Sequence, residues 1–213
     1  DMSKVIIYGF APSSYVRTVR MALEHKGVDY DLVPLEFGSE AHQAMHPFVK
    51  MPVMQHGAVT LFESSASCHY VDSAFEGPAL APDGVVEKAL MEQWISAVND
   101  YYYGPFIRDF ILQRIVAPSR GQEPDEEIVA AAMPVIRQRI DILEQTLSDQ
   151  LYLAGDTFSL ADCFLAPIFF YAGISPEGGE LFAGKTNIAG WKARIGEHDC
   201  FRNTMPPKPQ AAE

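Results

Sequence analysis

The first third of the chain alternates short apolar runs with a stretch of helical period. Lys4-Val5-Ile6-Ile7-Tyr8-Gly9 is rich in β-branched and aromatic residues and predicts a buried strand. From Tyr15 to Lys26 the apolar residues Val16, Val19, Ala22 and Leu23 recur at helical spacing, and Gly27 stops the helix. Tyr30 to Leu35 predicts a second strand, parallel to the first through a right-handed crossover. A polar connection, Glu36 to His46, leads to a strand that opens on Pro52. Val53-Met54 and Val59-Thr60-Leu61 flank the His56-Gly57 turn as a hairpin, and a helix follows from Ser64 to about Phe75. The order βαβ–ββα predicts a small mixed sheet with helices, an α+β unit.

Beyond the Pro/Gly-rich stretch Gly77 to Gly84 every apolar pattern is helical. Residues 2–77 are therefore read as one domain, 78–85 as a linker and 86–213 as an all-helical domain. Long helices are expected over Val86 to Val116, bending near Gly104-Pro105, and over Asp125 to Asp149, bending at Pro134. Ile136, Ile140, Leu143 and Leu147 fall on one stripe of the latter. Ser159 and Asp162 have capping-box spacing ahead of Cys163 to Ala172, a helix apolar all round and so the expected centre of its domain. Ile188 to His198 predicts a shorter helix with Trp191, and the tail from Pro206 to Glu213 is expected to be disordered.

Composition changes this picture little, but charge narrows the partners. A net charge of −12 opposes nucleic acid and anionic membrane surfaces, so an anionic ligand needs a local pocket. Cys68, Cys163 and Cys200 are odd in number and widely spaced, which suggests a reducing compartment and neither a disulfide framework nor a zinc site. No apolar run reaches membrane-span length and no signal sequence opens the chain, so a cytoplasmic protein without a metal is expected.

Candidate chemistry gathers around Phe48-Val49-Lys50-Met51-Pro52-Val53-Met54 and Phe62-Glu63-Ser64. Proline cannot donate to a sheet ladder, so Pro52 marks a strand's first residue, an edge or a special turn. If its bond is cis, the Met51 backbone is free to grip another extended backbone. Glu63-Ser64 sets a carboxylate and a hydroxyl at a helix start, where free N–H groups and the dipole favour an anion. A small zwitterionic peptide fits these parts; an ordinary strand-turn-strand with a serine cap explains them equally well.

With Ser13-Ser14-Tyr15-Val16-Arg17-Thr18-Val19-Arg20-Met21-Ala22-Leu23, His46-Pro47-Phe48-Val49-Lys50-Met51-Pro52, Phe62-Glu63-Ser64 and Gly155 to Asp162 in this order, the chain resembles a cytosolic glutathione transferase over nearly its whole length. The first segment is similar to the serine-type zeta, phi and theta classes and the His-Pro-Phe segment to the phi pattern. Lys50 and Met51 depart from the commoner Gln-Val, and Tyr15 from the zeta cysteine. The resemblance implies a thioredoxin-like N-terminal domain, an all-helical C-terminal domain and a homodimer, with glutathione as co-substrate.

It further implies that Ser13, with Ser14 as runner-up, hydrogen-bonds the glutathione sulfur and favours its thiolate, the nucleophile. Either serine also fits as a plain helix cap. Met51 pairs with the cysteinyl backbone beside a cis Pro52, Glu63 takes the γ-glutamyl ammonium and Ser64 the γ-glutamyl carboxylate. Lys50 and His42 are placed near the glycyl carboxylate, and Arg17 one helical turn beyond Ser13. Ala11, Pro12, Tyr102, Tyr103 and Phe106 are expected around a small hydrophobic electrophile, and Phe48 at the dimer contact. Rival readings are a glutathione-dependent isomerase of the maleylacetoacetate or maleylpyruvate type, reductive dehalogenation, ether cleavage, and a non-catalytic interaction module. A redox thioredoxin is disfavoured because no cysteine precedes the first helix.

Overall fold

A computed structural model describes residues 4–207; the rest of the expected tail, 208–213, lies outside the described residues. The chain divides into two compact units. The first contains strands β1 (Val5–Tyr8), β2 (Tyr30–Val33), β3 (Val53–His56) and β4 (Val59–Phe62), with helices α1 (Ser14–Lys26), α2 (Glu40–Met45) and α3 (Ser64–Ala74). Sheet order is β2-β1-β3-β4, with β1 and β2 parallel and the other pairs antiparallel. Val5 and Ile7 of β1, Val16, Val19 and Leu23 of α1, and Cys68 and Val71 of α3 are buried, as the 2- and 3.6-residue periods require. α1 ends on Gly27 at φ 69°, whose N–H closes the helix on Glu24 and Leu23.

The polar connection, to which the sequence pattern assigns no element, holds α2, capped by Ser39 Oγ on the His42 N–H. A helix this short shows little periodicity, and its one buried side chain is the polar His42.

The linker begins inside the first unit. Lys26 Nζ donates to the Asp72 carboxylate (3.3 Å), to the Asp72 carbonyl (3.1 Å) and to the Gly77 carbonyl (3.4 Å). The same carboxylate accepts from the Leu80 and Ala81 N–H groups. Gly77 sits at φ 116°, and a Cβ there would lie 2.7 Å from the Lys26 carbonyl oxygen. Gly77→Ala is therefore expected to cost about 2 kcal/mol by urea unfolding, from backbone strain and collision together; a change below measurement error contradicts this packing.

The second unit is helical: α4 (Val85–Ala97), a π-helical continuation over Val98–Tyr102 and Gly104–Val116, a single turn α5 (Ala117–Ser119), then α6 (Glu126–Thr146), α7 (Leu160–Ile174), α8 (Gly178–Leu181) and, as far as Ile195, α9 (Thr186–Glu197). Instead of one bent α-helix over 86–116, hydrogen bonding widens to i→i+5: Tyr103 N–H donates to Val98 O and Ala117 N–H to Leu112 O. Pro105, without an N–H, lies at the start of the longer π segment. α7 is buried over almost its whole circumference, as its apolar pattern predicts.

One expectation is corrected. Residues 196–207, assigned by sequence to the helical domain, belong to the first unit, where α10 (Asp199–Asn203) packs on α1. Arg17, only 1% exposed, explains the attachment. Its guanidinium donates to Thr204 Oγ1 (3.3 Å), the Phe201 carbonyl (3.0 Å) and Met205 Sδ (3.1 Å) and lies over the Phe201 ring. Asn203 adds a bond to Glu24. Arg17 is thus the buried anchor of the returning chain.

Candidate glutathione site

Ser13 is the N-cap of α1, with φ −66° and ψ 129°, and its Oγ accepts from the Val16 N–H at 3.4 Å. A hydroxyl that accepts at a cap keeps its own proton for another partner. That proton sits at the positive end of a 13-residue helix with no acidic residue in its first turn, a setting that favours an anion. Ser14 differs: it is the first residue inside the helix, buried, and its carbonyl accepts from Thr18 Oγ1. The structure therefore separates the two serines, the half-buried Ser13 standing at the helix mouth and Ser14 beneath it.

Met51 precedes β3, beyond the last ladder pair Tyr8–Val53, and the Met51–Pro52 bond is cis. Pro52 is buried, Met51 half-buried and Lys50 exposed. Close packing fixes the neighbouring loop: a Cβ on Gly9 would lie 2.5 Å from Val16 Cγ2.

His42 corrects an expectation. Its side chain is fully buried, and both ring nitrogens are committed to the backbone. The Gly38 N–H donates to Nδ1 at 3.1 Å, which leaves that nitrogen bare and the ring proton on Nε2, 2.8 Å from the Lys50 carbonyl oxygen. A ring so occupied has no atom left for the glycyl carboxylate. His46, which sequence reasoning treated only as part of a motif, is also buried and accepts the Phe48 N–H on Nδ1 at 3.2 Å. Burial holds its pKa below the ordinary imidazole value, with Glu63 acting in the opposite sense. Two histidines four apart in a polar segment are the only sequence signal for this arrangement.

Glu63 stands between β4 and α3 with φ 70° and ψ 119°, a left-handed conformation that a non-glycine residue adopts at a cost of roughly 1–3 kcal/mol. Its exposed carboxylate makes no capping bond to its own helix. Ser64, 7% exposed, opens the 11-residue α3. Ser67 N–H makes the first intrahelical bond, to the Glu63 carbonyl, so the N–H groups of residues 64–66 precede the helical ladder. A strained carboxylate beside a hydroxyl and unladdered N–H groups matches a zwitterionic amino-acid head.

The residues assigned to the electrophile divide. Ala11 is half-buried and Pro12 exposed in the loop before α1. Tyr102 and Phe106 are corrected: both belong to the aromatic core of the helical unit. Their rings stack at 5.8 Å and contact Phe169, and the Tyr102 hydroxyl donates to the Arg139 carbonyl. Tyr103 is half-buried, with Arg108 6.0 Å above its ring. Phe48 is 67% exposed and stands edge-on to Phe62. Among the described residues no group of three His, Cys, Asp or Glu could hold a metal ion, and no helix is long and apolar enough to cross a membrane.

A four-stranded mixed sheet with a cis-proline beside an open strand end, followed by an all-helical unit, defines a thioredoxin-like domain joined to a helical domain. Residues 7–79 match the glutathione S-transferase N-terminal domain family and residues 103–199 the corresponding C-terminal domain family. The chain is 30% identical to glutathione S-transferase F13 of Arabidopsis thaliana over 94% of each chain. Its fold is similar to that of the theta class glutathione S-transferase from Xanthomonas axonopodis pv. citri with glutathione bound (TM-score 0.87, 26% identity, 98% of this chain and 100% of that one). It is also similar to glutathione S-transferase I from maize in complex with an atrazine glutathione conjugate (TM-score 0.85, 25% identity, 95% and 96% covered). This chain belongs to the glutathione S-transferase family, close to its phi and theta classes.

Proposed function

We propose that this enzyme joins glutathione to a small apolar electrophile, with Ser13 donating its hydroxyl proton to the glutathione thiolate. A free thiol near pKa ~8.5 is mostly protonated at neutral pH, so the site must favour the charged form. A hydroxyl donor and the α1 N-terminus both do so. The thiol proton leaves to solvent and the sulfur forms a bond to the electrophilic carbon; either a leaving group departs with its bonding pair, or the electron pair of an activated double bond takes a proton from solvent. Met51 pairs with the cysteinyl backbone, Lys50 meets the glycyl carboxylate, and Glu63 and Ser64 hold the γ-glutamyl head. On the electrophile side, Ala11 and Pro12 are the contacts that the loop before α1 offers; the maize relative with its atrazine glutathione conjugate supports an apolar partner of modest size. The protein acts as a cytoplasmic homodimer, with the exposed Phe48 ring as a subunit contact.

The observation that carries this reading is the strained Glu63 backbone, which sets an uncapped carboxylate beside Ser64 at a helix N-terminus. Titrating glutathione into the protein near neutral pH, with thiolate absorbance as the signal, tests it. The wild type is expected to generate thiolate on binding. Glu63→Gln is expected to raise the KM for glutathione about tenfold while kcat changes little, because the lost charge-assisted bond is made equally before and during reaction. No thiolate from the wild type, or a Glu63→Gln enzyme with wild-type KM, overturns the assignment.

A further inference from the structure

The imidazole of His42 links the two ends of the excursion between β2 and β3. It takes the Gly38 N–H on one nitrogen and gives its proton to the Lys50 carbonyl with the other. Gly38 precedes α2 and sits at φ 84°, while Lys50 follows it, so one fully buried ring closes the base of the loop. Phe37 lies 5.0 Å from the ring and His46 6.3 Å, which holds its plane.

The carbonyl it grips is the important one. Lys50 C=O and Met51 N–H belong to a single planar peptide unit and point to opposite sides of it. Fixing that oxygen fixes the direction of the Met51 N–H, the group assigned to the cysteinyl backbone of glutathione. We propose that His42 is a positioning residue for glutathione: it touches no part of the peptide but orients the Lys50–Met51 plane that receives it. The inference rests on the assignment of Met51 above. Loss of the ring proton leaves the Lys50 oxygen without its donor and lets the plane rotate, which weakens binding without altering the sulfur's partner.

The test is calorimetric titration with glutathione, together with kcat at saturating glutathione and the pKa of the bound thiol. His42→Phe, which keeps the ring and loses both bonds, is expected to raise the Kd about tenfold with kcat and thiol pKa unchanged. His42→Gln retains a donor that reaches Lys50 and is expected to stay within about threefold of wild type. Wild-type affinity in His42→Phe, or equal weakening in His42→Gln, overturns the proposal. So does a loss that appears as a raised thiol pKa. Should His42→Phe not fold, His42→Asn, whose amide is too short to reach Lys50, replaces it, and equal Kd values for the Asn and Gln variants are the overturning result. A wild type that does not bind glutathione sinks the Met51 assignment and this proposal together; wild-type binding with indifferent variants sinks this proposal alone.

Discussion

Ser13→Ala is expected to lower kcat/KM for thioether formation roughly 10²-fold, the usual loss when one donor to a reacting anion is removed. The pH profile carries the diagnosis. Without the hydroxyl, the bound thiol returns toward its free value near pKa ~8.5, so the activity lost near neutrality reappears as pH rises. Ser13 is also the α1 N-cap, and the alanine variant loses about 1 kcal/mol of stability for that reason. A Tm measurement separates this effect from catalysis. Ser14→Ala, whose hydroxyl lies buried within the first turn, is expected to retain most of the activity. A Ser14→Ala enzyme as poor as Ser13→Ala, or a Ser13→Ala profile unmoved in pH, reverses the assignment of the two serines.

Asp162→Ala carries the largest expected loss of stability. Its buried carboxylate accepts the Trp191 indole N–H (2.9 Å), the Leu153 and Ser159 backbone N–H groups (3.1 and 3.0 Å) and the Ser159 hydroxyl (3.3 Å). Alanine strands these donors, at roughly 1–3 kcal/mol for each left unsatisfied, so a total near ~5 kcal/mol is expected from urea unfolding. Asp162→Asn keeps the shape and one acceptor oxygen and should lose about half as much. Burial pushes the Asp162 carboxyl up to about 6, against an ordinary value of 3.8. Between those values the folded state binds more protons than the unfolded state, so this group's contribution falls as pH rises and becomes level above about 6. The Asn variant should lose that slope; a slope that persists assigns it to other groups.

This capping box was legible as Ser159 and Asp162 three residues apart before an apolar run, whereas Trp191, which completes it, comes from a distant helix and leaves no local signature. β1 and α1 were similarly readable, because each buries an apolar face whose period matches its geometry, whereas the β3–β4 hairpin was marked by its His56-Gly57 turn. α2 was not, since its one buried side chain is a histidine whose partners are backbone atoms. The widened hydrogen bonding after Ala97 left no trace either: apolar spacing reports which residues face inward, not which carbonyl each N–H selects. Among site residues, Ser13, Met51, Pro52, Glu63 and Ser64 stood out as motifs. Tyr102 and Phe106 misled, because an aromatic at helical spacing looks the same whether it lines a cavity or fills a core.

The anchorage of Arg17 bears on how the chain is made. Its partners Phe201, Thr204 and Met205 lie 184, 187 and 188 residues downstream. The sheet-bearing unit is therefore discontinuous, and during synthesis from the N-terminus it waits until residues 201–205 are made before its arginine can be covered. A fragment ending at Ala81 would carry the glutathione-binding motifs but expose a guanidinium and the α1 surface that residues 196–207 bury. Completion of α10, rather than of the strands, marks the moment at which the first-made part of this enzyme is finished.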